Sequence, residues 1–271
     1  MPTFHTPGPV TAVVEIAAGA VHLAATDRDD TIVDITPRDP ERASDVRAAE
    51  QARIDFHNGT LVVTAGKKVL SLGRGGAVRV DIALPARSRL DLSSASAGVE
   101  AAGVYSDCRF ASASGALRVA TVTGNFKADT ASGDVSIGDL AGNARIATAS
   151  GDAVIDRIDG DVKFQAASGS LTIGTLRGHA KHQTASGSVA VGDAVSGGLR
   201  AQTGSGEVEV GIPQGTAARL ELKTHSGTVV NGLQASEGPA DGDETFMLQA
   251  RTGSGDISIR RAVGPVAASA D

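Results

Sequence analysis

Apolar and polar residues alternate along this chain in short runs, and Ser-Gly pairs cut those runs at fixed intervals. The pairs stand at Ser114-Gly115, Ser132-Gly133, Ser150-Gly151, Ser168-Gly169 and Ser186-Gly187, each step being 18 residues. Ser205-Gly206, Ser226-Gly227 and Ser254-Gly255 follow after 19, 21 and 28 residues, and a degenerate copy begins at Ser96. A second glycine recurs ten residues after the Ser, at Gly124, Gly142, Gly160 and Gly178. Internal periodicity of this length is the mark of a repeat architecture, and each unit holds two turns and two short strands.

Alternation within the unit assigns its faces. Three residues after each Ser stand Val99, Leu117, Val135, Ala153, Leu171, Val189, Val208, Val229 and Ile257. Two further on stand Ala101, Val119, Ile137, Ile155, Ile173, Val191, Val210 and Ile259, with Asn231 as the exception. These are period-2 positions on one face of a strand. The other strand carries the columns Cys108, Phe126, Ala144, Val162, Ala180, Leu199 and Phe110, Ala128, Ile146, Phe164, His182, Ala201. Val122, Leu140, Ile158 and Leu176 mark a corner.

One unit cannot bury its inner face alone, but stacked copies can, each strand bonded to its equivalent about 4.8 Å away. The expected fold is all-β: a single-stranded parallel β-solenoid (β-helix) of 18-residue coils with two strands each. A three-sided coil is the alternative, but the apolar rhythm is two-part. Right-handed coiling is the expectation for parallel connections. Ser-Gly suits a tight turn, where Gly accepts positive φ and the hydroxyl bonds nearby backbone.

The first 90 residues break the rhythm. Val10–Ile16, Val21–Ala25, Thr31–Thr36, Ile54–Phe56, Thr60–Thr64 and Val78–Leu84 read as strands, Arg42–Arg53 as a short helix and Gly66–Gly76 as a loop. The expected organisation is a β-rich cap with opening turns over 1–90, a continuous solenoid over 91–261 and a disordered tail over 262–271. Insertions at Pro213–Ala218 and Gln234–Glu244 interrupt the later coils.

Composition constrains the core and the partners. Of 271 residues 41% are hydrophobic, yet there is no Trp, one Tyr and six Phe, so the core is built from Ala, Val, Ile and Leu. A net charge of −6 gives no general signal for nucleic acid. Cys108 is alone, which excludes a disulfide framework and a multi-cysteine metal site. The opening MPTFHTPGPVTAVVEIAAG has no Lys or Arg before its short apolar run, which contains Glu15. It reads as a poor signal peptide, so the expected location is cytoplasmic, with cell surface or secretion as the alternative if a leader is removed. No run approaches the roughly 20 apolar residues of a membrane span.

The block T-A-S-G-D/S-V-x-I-G at Thr130–Gly138 and Thr184–Gly192, the segment VDIALPARSRLDL at Val80–Leu92 and the opening VVEIAAGAVHLAA carry a resemblance. Together they make the chain resemble the bacterial "putative adhesin" family of uncharacterised β-solenoid repeat proteins, over nearly its whole length. The resemblance implies surface adhesion and brings no catalytic residues with it.

Four chemistries bear on these residues. Calcium β-rolls need G-G-x-G-x-D turns and roughly 6–8 oxygen ligands. Here Asp134, Asp152, Glu207 and Asp256 follow Ser-Gly, but Ala116, Ser170, Ser188 and Thr228 interrupt them. A polysaccharide-cleaving β-helix needs positioned carboxylates in a cleft, and Asp156/Asp159 and Asp139/Asp161 read as solvated turns. Cys108 and His182 lie four coils apart in inward columns, and His225 beside Ser226 lacks an acidic third member. No catalytic residue, metal or cofactor is expected.

The fourth chemistry is a cation column. Five residues before each Ser stand Arg109, Lys127, Arg145, Lys163, Lys181 and Arg200, all facing outward by alternation. Stacked like charges repel, and a polyanion along the column relieves them. Against that, Asp107, Asp129 and Asp161 stand two residues away on the same face, and long cations are ordinary on exposed strands. The leading expectation is a non-enzymatic scaffold or adhesin-like interaction module for a protein or an anionic polymer, working as a monomer or small homo-oligomer. The alternative is a self-assembling filament, favoured by uncapped ends and opposed by a cap.

Overall fold

A computed structural model describes residues 1–66, 76–234, 238–240 and 242–262. The expected loop at Gly66–Gly76 and the expected tail lie almost wholly outside the described residues. The chain divides into two compact units, Met1–Asp152 and Ala153–Asp271.

In the Met1–Asp152 unit the strands come in chain order as β1 (Thr3–His5), β2 (Thr11–Ile16), β3 (Gly19–Thr26) and β4 (Asp30–Pro37). Helix α1 (Ala43–Glu50) follows, then β5 (Arg53–His57), β6 (Thr60–Ala65) and β7 (Val78–Pro85). The regular copies supply β8 (Arg89–Ser94), β9 (Gly98–Tyr105), β10 (Cys108–Ser112), β11 (Leu117–Val122), β12 (Phe126–Thr130), β13 (Val135–Ala141) and β14 (Ala144–Thr148). The strands expected before Leu90 are all present to within two residues. The helix is shorter than expected, because Gln51 leaves the helical region and β5 begins at Arg53.

Two parallel ladders organise this unit. The front ladder runs β8, β10, β12, β14, with Cys108 opposite Leu90 and Phe126, and Phe126 opposite Ala144. The back ladder runs β9, β11, β13, with Leu117 opposite Val99 and Val135. Within the regular copies the partners are 18 residues apart, as the Ser-Gly spacing requires. The inward columns are buried: Phe110, Phe126, Val119 and Ile137 are at most 1% exposed. Truncating such a phenylalanine costs about 3–5 kcal/mol.

The end of this unit is not threaded in chain order. β2 pairs with both β6 and β8, and β3 pairs with both β7 and β9. The first coil of the sequence therefore lies second in space. β5 then pairs antiparallel with β6, β4 antiparallel with β7, and β1 antiparallel with β4. Phe4 and Phe56 stack with ring centres 5.0 Å apart, joining β1 to β5. Inside α1, Asp45 is buried and accepts hydrogen bonds from the Ala77 N–H and the Ser44 hydroxyl, both at 3.1 Å. The Ala77 bond holds its carboxyl below the ordinary aspartate range. The outer edges of β6 and β7 are thus covered.

The Ala153–Asp271 unit contains β15 (Ala153–Asp159), β16 (Val162–Ala166), β17 (Leu171–Thr184), β18 (Val189–Thr203) and β19 (Val208–Ile212). It ends with β20 (Thr216–Thr224), β21 (Val229–Asn231), β22 (Glu244–Thr252) and β23 (Ile257–Arg261). Here β17 and β18 each run through a corner and serve both ladders. The front ladder is β16, β17, β18, β22, β20, and the back ladder is β15, β17, β18, β19, β23, β21.

The last coil in sequence is again second in space, since β22–β23 lies between β18–β19 and β20–β21. Side-chain chemistry explains the order. β22 and β23 offer Phe246, Leu248, Ala250, Ile257 and Ile259, all at most 1% exposed. β20 and β21 offer half-buried Ala218, Leu220 and Leu222, exposed Val229, and Asn231 in an inward column beside Ile259. The more apolar coil takes the covered place, and the coil bearing a polar inward residue takes the end.

The glycines revise the expected turn chemistry. The Ser-Gly glycines are not at positive φ. A Cβ on Gly133 would stand 2.0 Å from the Gly115 carbonyl oxygen, and one on Gly187 would stand 2.1 Å from that of Gly169. These glycines are required by the closeness of successive coils. Positive φ belongs to the second glycine of the later copies, as at Gly178 (φ +121°) and Gly197 (φ +95°), and not to Gly124. The residue two before each Ser also supplies much of the hydroxyl bonding. Thr130 Oγ1 donates to the Gly133 carbonyl at 3.0 Å, and the Gly151 N–H donates to Thr148 Oγ1 at 2.8 Å.

Candidate functional site

The outer face of the front ladder is the candidate site, and each unit carries its own part of it. In the Met1–Asp152 unit, Arg109 stands between Asp91 and Lys127, and Lys127 between Arg109 and Arg145. In the Ala153–Asp271 unit, Lys181 stands between Lys163 and Arg200. Parallel pairing places equivalent side chains side by side about 4.8 Å apart, so each unit brings three of the six expected cations together.

The two triplets differ in their partners. Arg109 approaches Asp91 at 3.7 Å, and Lys127 pairs with Asp129 at 2.8 Å. Beside them Arg89 binds Asp107, which also accepts the Asn125 N–H at 2.8 Å. That N–H, with Arg89, lowers the Asp107 pKa. In the other unit, Lys163, Lys181 and Arg200 form no ion pair among the described residues. Their row ends where Arg200 meets Gln249, whose amide donates to Glu221 at 2.9 Å.

A second basic pair, outside the column the sequence predicts, joins this face. Three residues before the Ser stand Gln183, Gln202, Arg251 and Lys223, which are neighbours in that spatial order. With His225 they line a shallow cleft of about 480 Å³ that has no acidic wall. Arg251 and Lys223 form no ion pair among the described residues. Aligning the late copies on Ser254 and Ser226 reveals the row. Irregular spacing and reversed coil order hide its adjacency to Gln202.

The remaining candidates are structural. The carboxylate after Ser-Gly serves the neighbouring coil: Asp134 accepts the Asp152 N–H at 2.9 Å, and Asp256 accepts the Thr228 N–H at 2.7 Å. Among the described residues no group of three or more His, Cys, Asp or Glu could hold a metal ion. Cys108 is 2% exposed, and burial pushes its thiol up to about 12. His182 is fully buried against Phe164, and burial pushes its pKa down to about 4. No helix among the described residues is long and apolar enough to cross a membrane.

The chain is thus a solenoid-like all-β repeat protein with a basic outer row in each unit. The profile of the Toastrack DUF4097 family matches residues 13–260, and the chain belongs to that family. No curated protein matches the sequence. Among solved structures, the chain is similar to one described as a putative adhesin from Parabacteroides distasonis. That similarity has 12% identity, covers 94% of each chain and gives a TM-score of 0.51. A putative adhesin from Bacteroides fragilis gives 11% identity over 95% of each chain with a TM-score of 0.49. A putative lipid binding protein from P. distasonis gives 14% identity over 95% of each chain with a TM-score of 0.42.

Proposed function

We propose that this protein is a non-enzymatic interaction module, a parallel β-solenoid of 18-residue, two-strand coils that binds an anionic polymer along the front ladder. The binding row is Lys163, Lys181 and Arg200, extended sideways by Arg251 and Lys223. Arg109, Lys127 and Arg145 form a weaker second row, because Asp91 and Asp129 already neutralise part of it. The observation that carries this reading is the contrast between the units. In one unit two of the three cations, Arg109 and Lys127, are paired with carboxylates, and in the other none of the three forms an ion pair among the described residues. Side-by-side cations cost free energy that a bound polyanion recovers.

A flexible polymer with regularly spaced sulfates or carboxylates suits a row of cations about 4.8 Å apart. A small enclosed ligand does not, since the face is open and its cleft is shallow. The adhesin name of the Parabacteroides structure is in keeping with such a face, and with the surface location weighed above as the alternative. The test is titration of the full chain with a sulfated polysaccharide and with polyglutamate at about 50 mM and about 200 mM salt. Binding that weakens as salt rises supports the reading. No binding at the lower salt removes it.

A further inference from the structure

The last coil in space, β20–β21, has nothing paired with its outer edge among the described residues. Its inward side chains Ala218, Leu220 and Leu222 are half-buried, and Val229 and Val230 are 42% and 54% exposed. In the Met1–Asp152 unit the corresponding outer edges of β6 and β7 are covered by β5 and β4. An open parallel edge with apolar side chains is a template for another strand. A head-to-tail contact needs a free edge on β6 and β7, which the cap occupies. The edge of β20–β21 can pair with its own counterpart in a second copy.

We propose that two copies of this chain join through β20–β21 as a closed two-fold dimer, each strand pairing antiparallel with its own counterpart. The sequence Thr-Ala-Ala-Arg-Leu-Glu-Leu-Lys-Thr is self-complementary in that arrangement. With the two-fold axis at Leu220, Arg219 of each copy faces Glu221 of the other, giving two symmetric ion pairs. On the inward face Leu220 meets Leu220, and Ala218 meets Leu222. Thr216 meets Thr224 at the two ends. The same axis sets β21 beside its own copy and covers Val229 and Val230. A two-fold contact of this kind is isologous and closes at two subunits. Within one copy Arg219 and Glu221 stand 4.0 Å apart and both are exposed.

This inference is independent of polyanion binding. Its test is sedimentation velocity of the full chain over a concentration range on the order of a hundredfold, with Arg219→Glu, Glu221→Arg and the double exchange. The parent should dimerise without forming larger species. Each single reversal puts like charges opposite one another and should weaken dimerisation about tenfold or more. The double exchange restores opposite charges and should recover the parent's affinity. Circular dichroism checks that the exposed substitutions leave the fold intact. A parent that stays monomeric, polymerises without limit, or dimerises equally well in all variants overturns the proposal. A double exchange as weak as the singles overturns the register centred on Leu220.

Discussion

The imidazole of His182 lies flat on the ring of Phe164, with centroids 5.5 Å apart and planes within 2° of parallel. The two occupy equivalent places in neighbouring coils. On the other side His182 is opposite Ala201. Neither ring nitrogen has a hydrogen-bond partner in the structure. The imidazole therefore serves as a flat packing group and is held neutral by its surroundings.

That placement makes stability depend on pH. Burial lowers the folded pKa of His182 from 6.5 to about 4. The unfolded chain therefore binds a proton first, and stability falls as pH drops from about 6.5 towards about 4. Below that the loss is complete, at about 3 kcal/mol for this shift. Denaturant unfolding of the parent should show the decline, and His182→Leu should remove it from that window. The variant should also be more stable at pH 7, because the unpartnered nitrogens are gone. Parallel pH profiles for the two proteins would contradict the assignment.

Phe246 and Leu220 report on the order of the last coils. Threading in sequence order would put β20 in the covered place and β22 at the end. The observed order predicts that Phe246→Ala costs about 3–5 kcal/mol, as a filled core position does. Leu220→Ala at the half-open end should cost less than about 1.5 kcal/mol in dilute protein. Chemical denaturation of both variants distinguishes the two threadings.

Gly133 and Gly98 separate close approach from backbone freedom. Gly133→Ala drives a methyl into the Gly115 carbonyl and should cost about 2–3 kcal/mol. Gly98 has no atom within 4 Å of such a methyl and no positive φ. Gly98→Ala should be neutral or stabilising by up to about 1 kcal/mol. Thermal unfolding of the pair checks this.

Cys108 should behave as a core residue. Its thiol is buried between Leu90 and Phe126, with its pKa raised to about 12. Alkylation at pH 8 should be slow in the native protein and complete once it is denatured. Rapid labelling of the folded chain would show that this part of the front ladder opens readily.

Much of this architecture is legible in the sequence because the repeat is strict where coils stack in chain order. From Val99 to Ala201 the columns assigned by alternation are the buried ones, and the outward cations are neighbours within each unit. The ends are not legible, for a physical reason. Equivalent strands present the same backbone pattern to either neighbour. Thr252 and Thr224 occupy the same position in their repeats, and nothing local to the turn says which follows Thr203. The signal lay in inward polarity: Asn231 breaks the apolar column and marks the coil that belongs at the end. The role of the Ser-Gly glycines is not legible either, because a turn glycine suggests positive φ, whereas coil-to-coil distance is visible only in three dimensions. The ion pairs that distinguish Arg109 and Lys127 from Lys163 and Lys181 depend on side-chain reach, which alternation alone does not give.

The most direct test of the anionic-polymer reading compares two triple variants of the full chain. One carries Lys163→Gln, Lys181→Gln and Arg200→Gln, and the other carries Arg109→Gln, Lys127→Gln and Arg145→Gln. Affinity for a sulfated polysaccharide is measured by titration calorimetry at two salt concentrations. The first variant should lose about tenfold or more in affinity and most of the salt dependence, while the second retains the larger part of both. Equal affinity of the first variant and the parent would contradict the account.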